Sequence, residues 1–247
     1  MKGVLFMKRR LLFILSLFLI CSLFTFGENF PEKAKTVNDF IPKGWKSILT
    51  AKGDLNKDKL EDVAVVIEKD DKSNIVKNQY VGLGSEYLNL NPRILLVLFK
   101  QKDGNYILAS KNDKDFIKSE GDKENPALMD TLDEISIKDN ILKIKFNYFL
   151  SAGSWAVTQN IYTFRFQNKK FELIGLDSNS YMRNSGNEEE FSINFSTNKV
   201  KMTTGGNMFD EKENKPKEEW KNINFKRKYI LDEMTDGVMD EIMEKVY

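Results

Sequence analysis

The 247-residue chain has no histidine and a single cysteine, Cys21. Without histidine there is no Ser-His-Asp or Cys-His nucleophile relay. With no histidine and no second cysteine, the usual zinc ligand sets are missing as well. Any catalysis would fall to carboxylates, lysine, tyrosine, serine or an oxygen-ligated metal. An excess of one charge is also lacking, since 38 Lys and Arg stand against 37 Asp and Glu. A balanced surface does not offer the basic stripe that a phosphate-backbone binder needs, so no nucleic-acid partner is expected.

One long apolar run is present, and it lies at the N-terminus. Lys8, Arg9 and Arg10 precede a stretch from Leu11 to Phe26 broken by Ser16, Ser22 and Thr25. That stretch is shorter than the roughly 20 residues a bilayer-spanning helix needs. Thr25 and Gly27 place small side chains at the −3 and −1 positions of a cleavage site before Glu28. Residues 1–27 therefore read as a signal peptide, with residues 28–247 a single mostly-β extracytoplasmic domain, periplasmic or secreted. The membrane would be met only through the signal segment. A lipid anchor on Cys21 is the rival reading, and Leu19-Ile20 sit where lipoprotein signals place a small residue. Cleavage would remove four basic residues and no acidic ones, leaving 34 against 37, and it would remove the cysteine, so no disulfide is expected.

The mature region reads as β-structure between two short helices. Pro31, with Ala34, Val37, Phe40 and Ile41 at helical spacing before Pro42, predicts a first helix. Val63–Ile67 and Ile94–Phe99 are continuous apolar runs that fit strands buried on both faces. Between them, Asp70 to Asn91 is polar and long for a connection, and is expected to be a loop. Ile135 and Ile137, then Leu142, Ile144, Phe146 and Tyr148, then Tyr162, Phe164 and Phe166, alternate with polar residues. Turns at Asp139-Asn140 and Asn168-Lys169-Lys170 join them into a meander that runs on to Phe171 and Leu173. Another hairpin is expected from Phe191-Ile193-Phe195 to Val200-Met202, followed by a surface excursion from Asp210 to Lys221. Leu231, Met234, Val238, Met239, Ile242, Met243 and Val246 form one apolar stripe, which predicts a C-terminal helix weakened at Gly237. The expected fold is an all-β antiparallel meander of ten to twelve strands, propeller-like, with a β-sandwich as the alternative.

One stretch carries recognisable chemistry. In Gly53-Asp54-Leu55-Asn56-Lys57-Asp58-Lys59-Leu60-Glu61-Asp62, oxygen-bearing side chains fall at loop positions 1, 3, 5 and 9: Asp54, Asn56, Asp58 and Asp62. Calcium takes six to eight hard oxygens, and the Leu60 carbonyl at position 7 would add another. An EF-hand needs a bidentate Glu at position 12, where this chain has Val65. The loop instead resembles those of FG-GAP and VCBS repeats, which run straight into an apolar strand as Asp62-Val63-Ala64-Val65 does. The resemblance covers about 15 residues, occurs once, and departs at position 6, where Lys59 stands in place of glycine. It implies a calcium cofactor of weak affinity, on the order of 10⁻⁴–10⁻³ M.

Other candidates read as surface or core. Asp113, Asp115, Asp122 and Glu124 form an acidic cluster, as do Glu188-Glu189-Glu190. Ser151-Ala152-Gly153-Ser154 leads to Trp155, and Gly205-Gly206-Asn207 reads as a turn. The functional expectation is a non-catalytic exported binding or structural module with a protein or glycan partner. A carboxylate-based glycan hydrolase and an inhibitor of an envelope enzyme are the alternatives.

Overall fold

A computed structural model describes residues 28–120, 123, 125–209 and 215–246. The expected signal peptide, including Cys21, lies outside the described residues. The chain divides into a unit of residues 1–30 and a unit of residues 31–247, and the second holds all the elements below. Among the described residues, no helix is long and apolar enough to cross a membrane.

The strands are β1 (Lys33–Ala34), β2 (Trp45–Gly53), β3 (Asp62–Lys69), β4 (Ile75–Lys77), β5 (Tyr87–Asn89), β6 (Arg93–Lys100) and β7 (Tyr106–Asn112). They continue with β8 (Leu132–Lys138), β9 (Ile141–Phe149), β10 (Ala156–Gln167), β11 (Lys170–Met182), β12 (Asn187–Asn194), β13 (Lys199–Asn207) and β14 (Lys217–Asn222). The fold is all-β and antiparallel. One sheet has five strands in the order β1-β7-β6-β3-β2, another has seven in the order β14-β13-β12-β11-β10-β9-β8, and β4 pairs with β5. Ala64, Val66, Leu95 and Val97 of the first sheet share a core with Leu142, Ile144, Phe146, Tyr162 and Phe164 of the second. Two large sheets over one core form the sandwich-type grouping, in contrast to blades of four strands.

Alternation explains most of this. Ala64 and Val66 face the shared core, and their neighbours Val63, Val65 and Ile67, on the opposite face of β3, are also buried. The apolar runs are thus buried on both faces, as their composition predicts. Asp139-Asn140 and Asn168-Lys169 each place two successive residues at positive φ. That is the primed turn geometry, whose twist matches the strands it joins.

Three expectations change. The helix expected after Pro31 is replaced by β1, paired with β7, and a short 3₁₀ turn over Val37–Phe40. Between Pro31 and Pro42 there is too little chain to offset the cost of helix nucleation, whereas an edge strand gains partners at once. The polar stretch after Asp70 contains the β4–β5 hairpin rather than a bare loop. The excursion expected up to Lys221 holds β14, an exposed strand of Lys and Glu on the sheet edge. Edge strands carry such charges because their backbone alone makes the pairing.

The C-terminal stripe does form, in two pieces: a 3₁₀ turn at Leu231–Glu233 and the helix α1, Val238–Val246. Leu231, Met234, Val238, Ile242 and Val246 are buried in the common core. Asn112 at the end of β7 fixes the turn, its side-chain amide donating to the Leu231 and Met234 carbonyls at 2.6 and 2.8 Å. Across the core, the Leu173 N–H on β11 donates to the Tyr229 carbonyl at 2.9 Å.

Candidate functional site

Of the sequence-predicted ligands, Asp54, Asn56, Asp58 and Leu60 lie on the β2–β3 connection and Asp62 opens β3. This loop sits beside the second sheet, because β2 runs alongside β8. A Cβ on Gly53 would fall 2.6 Å from the Ile137 methyl group, so glycine is required there. The Asn140 side chain donates to the Asp54 carbonyl at 2.8 Å, tying the loop to the β8–β9 turn.

Within the loop, the carboxylates are organised by N–H groups. Asp54 accepts from the Lys57 and Lys59 amides at 2.6 and 2.9 Å. Asp58 accepts from the Leu60 amide at 2.8 Å and from the Asn56 side chain at 3.1 Å, while Asn56 accepts from the Asp58 amide at 3.0 Å. Asp62 is fully buried and accepts from Leu55 N–H at 2.8 Å and from Lys100 N–H, on β6, at 2.9 Å. Each of the six carboxylate oxygens therefore receives one hydrogen bond. Lys57 and Lys59 hold positive φ to make this possible, a strain of about 1–2 kcal/mol for a non-glycine residue. Burial pushes the Asp62 carboxyl above its ordinary pKa; its two N–H donors oppose this, and the nearby charges of Asp58 and Asp54 add to it.

For calcium the fit is partial. The donors are all oxygens, and each carboxylate oxygen keeps a second lone pair. Yet Asp62 is committed to the backbone of the loop at Leu55 and of β6 at Lys100, and among the described residues no three acidic groups are gathered where they could hold a metal ion. The structure brings Asp54, Asn56 and Asp58 together on one turn and turns Asp62 inward. Among the described residues, the hydrogen bonds that organise the loop do not use the Leu60 carbonyl.

Sequence reasoning missed a second place, a cavity of about 550 Å³ opening onto the shared core. Its inner wall includes Phe116, Tyr148 and Tyr162. Phe116 and Tyr162 meet edge to face at 5.1 Å, and Phe146 stands edge-on to both at 5.4 and 5.6 Å, a favoured aromatic geometry. The outer lining carries Asp115, Lys118, Glu120 and Asp236. Lys118 pairs with Asp236 at 2.5 Å and holds that carboxyl below its ordinary pKa. Glu120 accepts from the Ser85 hydroxyl and the Asn89 amide, both at 2.8 Å, which fixes the β4–β5 hairpin to the wall. Gly84 completes that junction, since at φ +70° a Cβ would fall 1.7 Å from the Pro126 carbonyl oxygen.

Arg93 at the start of β6 anchors the lining loop from beneath. Its guanidinium donates to buried Glu68 at 2.9 Å, to the Lys118 carbonyl at 2.9 Å, and to both Asp130 oxygens at 2.7 and 2.6 Å. This bidentate geometry is the strong form of the pair. Behind the tyrosines, Asn160 lies two residues before Tyr162 on β10, beside the Tyr148 hydroxyl. Among the described residues, Asn160 Oδ1 is the buried side-chain polar atom without a hydrogen-bond partner, a condition that ordinarily costs about 1–3 kcal/mol. Burial pushes the Tyr148 hydroxyl above its usual pKa, against the Asn160 hydrogen bond, and pushes Tyr162 up as well.

The remaining candidates behave as surface or framework. Asp122 and Glu124 lie outside the described residues. Glu188–Glu190 fall on β12, and Gly205 and Gly206 lie within β13. Trp155 is exposed beside Arg183, whose guanidinium also donates to the Leu150 and Ser154 carbonyls and lies over the Phe149 ring at 4.5 Å. Comparison with protein-family models, curated proteins and solved structures gives no match.

Proposed function

We propose that this chain is an exported, periplasmic or secreted, non-catalytic binding module. Its ligand enters the cavity walled by β9, β10 and the 115–131 segment, and calcium stiffens the β2–β3 loop through Asp54, Asn56, Asp58 and Asp62. One observation carries the binding reading: an aromatic-walled cavity whose lining loops are already fixed by Arg93, Glu120 and the Lys118–Asp236 pair. Ligand sites are largely pre-formed in this way, with an apolar wall and a few placed polar groups. Supporting calcium are the alternate oxygen spacing and the three acids close enough to repel one another, a repulsion that a divalent cation relieves.

A second reading has its own observation, because the same cavity gathers Asp115, Glu120 and Asp236. In a carboxylate-based glycan hydrolase, one acid of a pair must stay protonated near neutral pH. Asp236 is held the other way by Lys118, and Glu120 is spent on the hairpin, which favours binding over hydrolysis. Incubation with cell-wall and polysaccharide panels separates the two readings, and release of reducing ends would overturn the first. For the loop, millimolar calcium should raise the melting temperature, and Asp58→Ala should abolish the rise. A flat response in both proteins would remove calcium from the reading.

A further inference from the structure

We infer that the cavity takes a small organic cation, an ammonium or guanidinium group carried on a flat apolar body. The inference rests on reading the cavity as the ligand site and deepens that reading. Three carboxylates and one ammonium line the opening, and that ammonium is already paired. Glu120 is held by two neutral donors, which stabilise its charge without cancelling it. An anion entering here would meet net negative charge. A neutral ligand would strip water from carboxylates and return at most a hydrogen bond without the opposite charge.

The inner wall selects in the same direction. Phe116, Tyr148 and Tyr162 offer aromatic surface, and ring faces attract cations, more strongly once water is excluded. Rim charge and ring surface arise on different elements: the 115–120 loop and the Thr235-Asp236 segment, then β9 and β10. Both favour a positively charged group, and an ammonium or guanidinium carries only donors for the carboxylates to accept.

The test uses the full chain and three probes of one shape: phenethylammonium, 2-phenylethanol and phenylacetate. Calorimetry and saturation-transfer NMR should find the ammonium binding well ahead of the alcohol, with the acetate weakest. Asp115→Asn, at an exposed position, should weaken the ammonium about two- to fivefold. Tyr148→Leu, which keeps apolar bulk, should weaken it about tenfold. Melting curves check that both variants fold. Equal binding of the alcohol, or preference for the acetate, overturns the cation inference and leaves the cavity a ligand site. Ammonium binding that neither variant weakens also overturns it, because the probe then sits elsewhere. Silence from all three probes removes both the inference and the reading of the cavity beneath it.

Discussion

The β2–β3 loop and the cavity rim both crowd carboxylates together, and they resolve the crowding in opposite ways. In the loop, the acids turn back on their own chain, and all six carboxylate oxygens of Asp54, Asp58 and Asp62 take an N–H donor. At the rim, Glu120 and Asp236 hold neighbouring segments in place while the space between them stays open over aromatic rings. Acidic spacing alone therefore does not make a binding site. What decides is whether the local backbone offers enough N–H groups to absorb the acids. The nine residues of the loop supply five of those six donors themselves, and Lys100 on β6 supplies the sixth. At the rim, the donors come from distant segments and leave a volume between them.

The comparison can be tested hardest at Arg93, on which the rim depends. Arg93→Met would leave buried Glu68 with only the longer Lys46 pair at 3.6 Å, and about 3 kcal/mol of stability should be lost in denaturant unfolding. A loss under about 1 kcal/mol would mean that the cavity loop holds itself, as the β2–β3 loop does. Next in size is Asp62→Ala, which strips the Leu55 and Lys100 N–H groups of their acceptor and should cost about 2–4 kcal/mol. Asp58→Ala, at the exposed tip, should cost under about 1 kcal/mol without calcium. Equal losses at the two positions would show the loop acting as one unit.

The smallest effect is the most diagnostic, because the two places should respond to pH with opposite sign. The Asp62 pKa is raised in the folded protein, so its contribution is fully present below about 3.8 and is lost as pH rises through the raised value. The Asp236 pKa is lowered by Lys118, so its contribution is present above about 3.8 and is lost as pH falls through the lowered value. Carboxyl-carbon NMR titration should place Asp62 above the ordinary aspartate midpoint and Asp236 below it. A common midpoint for the two would remove the contrast.

How much of this was legible in the sequence follows from the range of each interaction. Strand positions and primed turns were readable because alternation and Asn-rich turn pairs are local signals. Both apolar runs were placed correctly for the same reason. The N-terminal segment departs from its helical pattern because four apolar residues at helical spacing cannot outweigh the sheet bonds available to β1. β14 was missed because a Lys- and Glu-rich edge strand has the composition of a solvated loop. The β2–β3 loop stood out as a motif, although the inward turn of Asp62 toward Lys100 depends on a strand 38 residues away. The cavity was invisible, since Asp115, Tyr148, Tyr162 and Asp236 share no spacing and meet only once two distant segments have packed against β9 and β10.

The turn at Leu231 and the helix after it have a consequence for truncation. Leu231, Met234, Val238, Ile242 and Val246 belong to the same core as both large sheets. Every strand of those sheets lies earlier in the chain, so a chain cut before Leu231 keeps all its strand pairings and still lacks one apolar wall. Its interior would then face water where these five side chains belong, a cost of the kind that burial of each Leu, Ile, Val or Met otherwise offsets by about 1.5–3 kcal/mol. The last segment is thus a plug, and the sheets alone are an unfinished container.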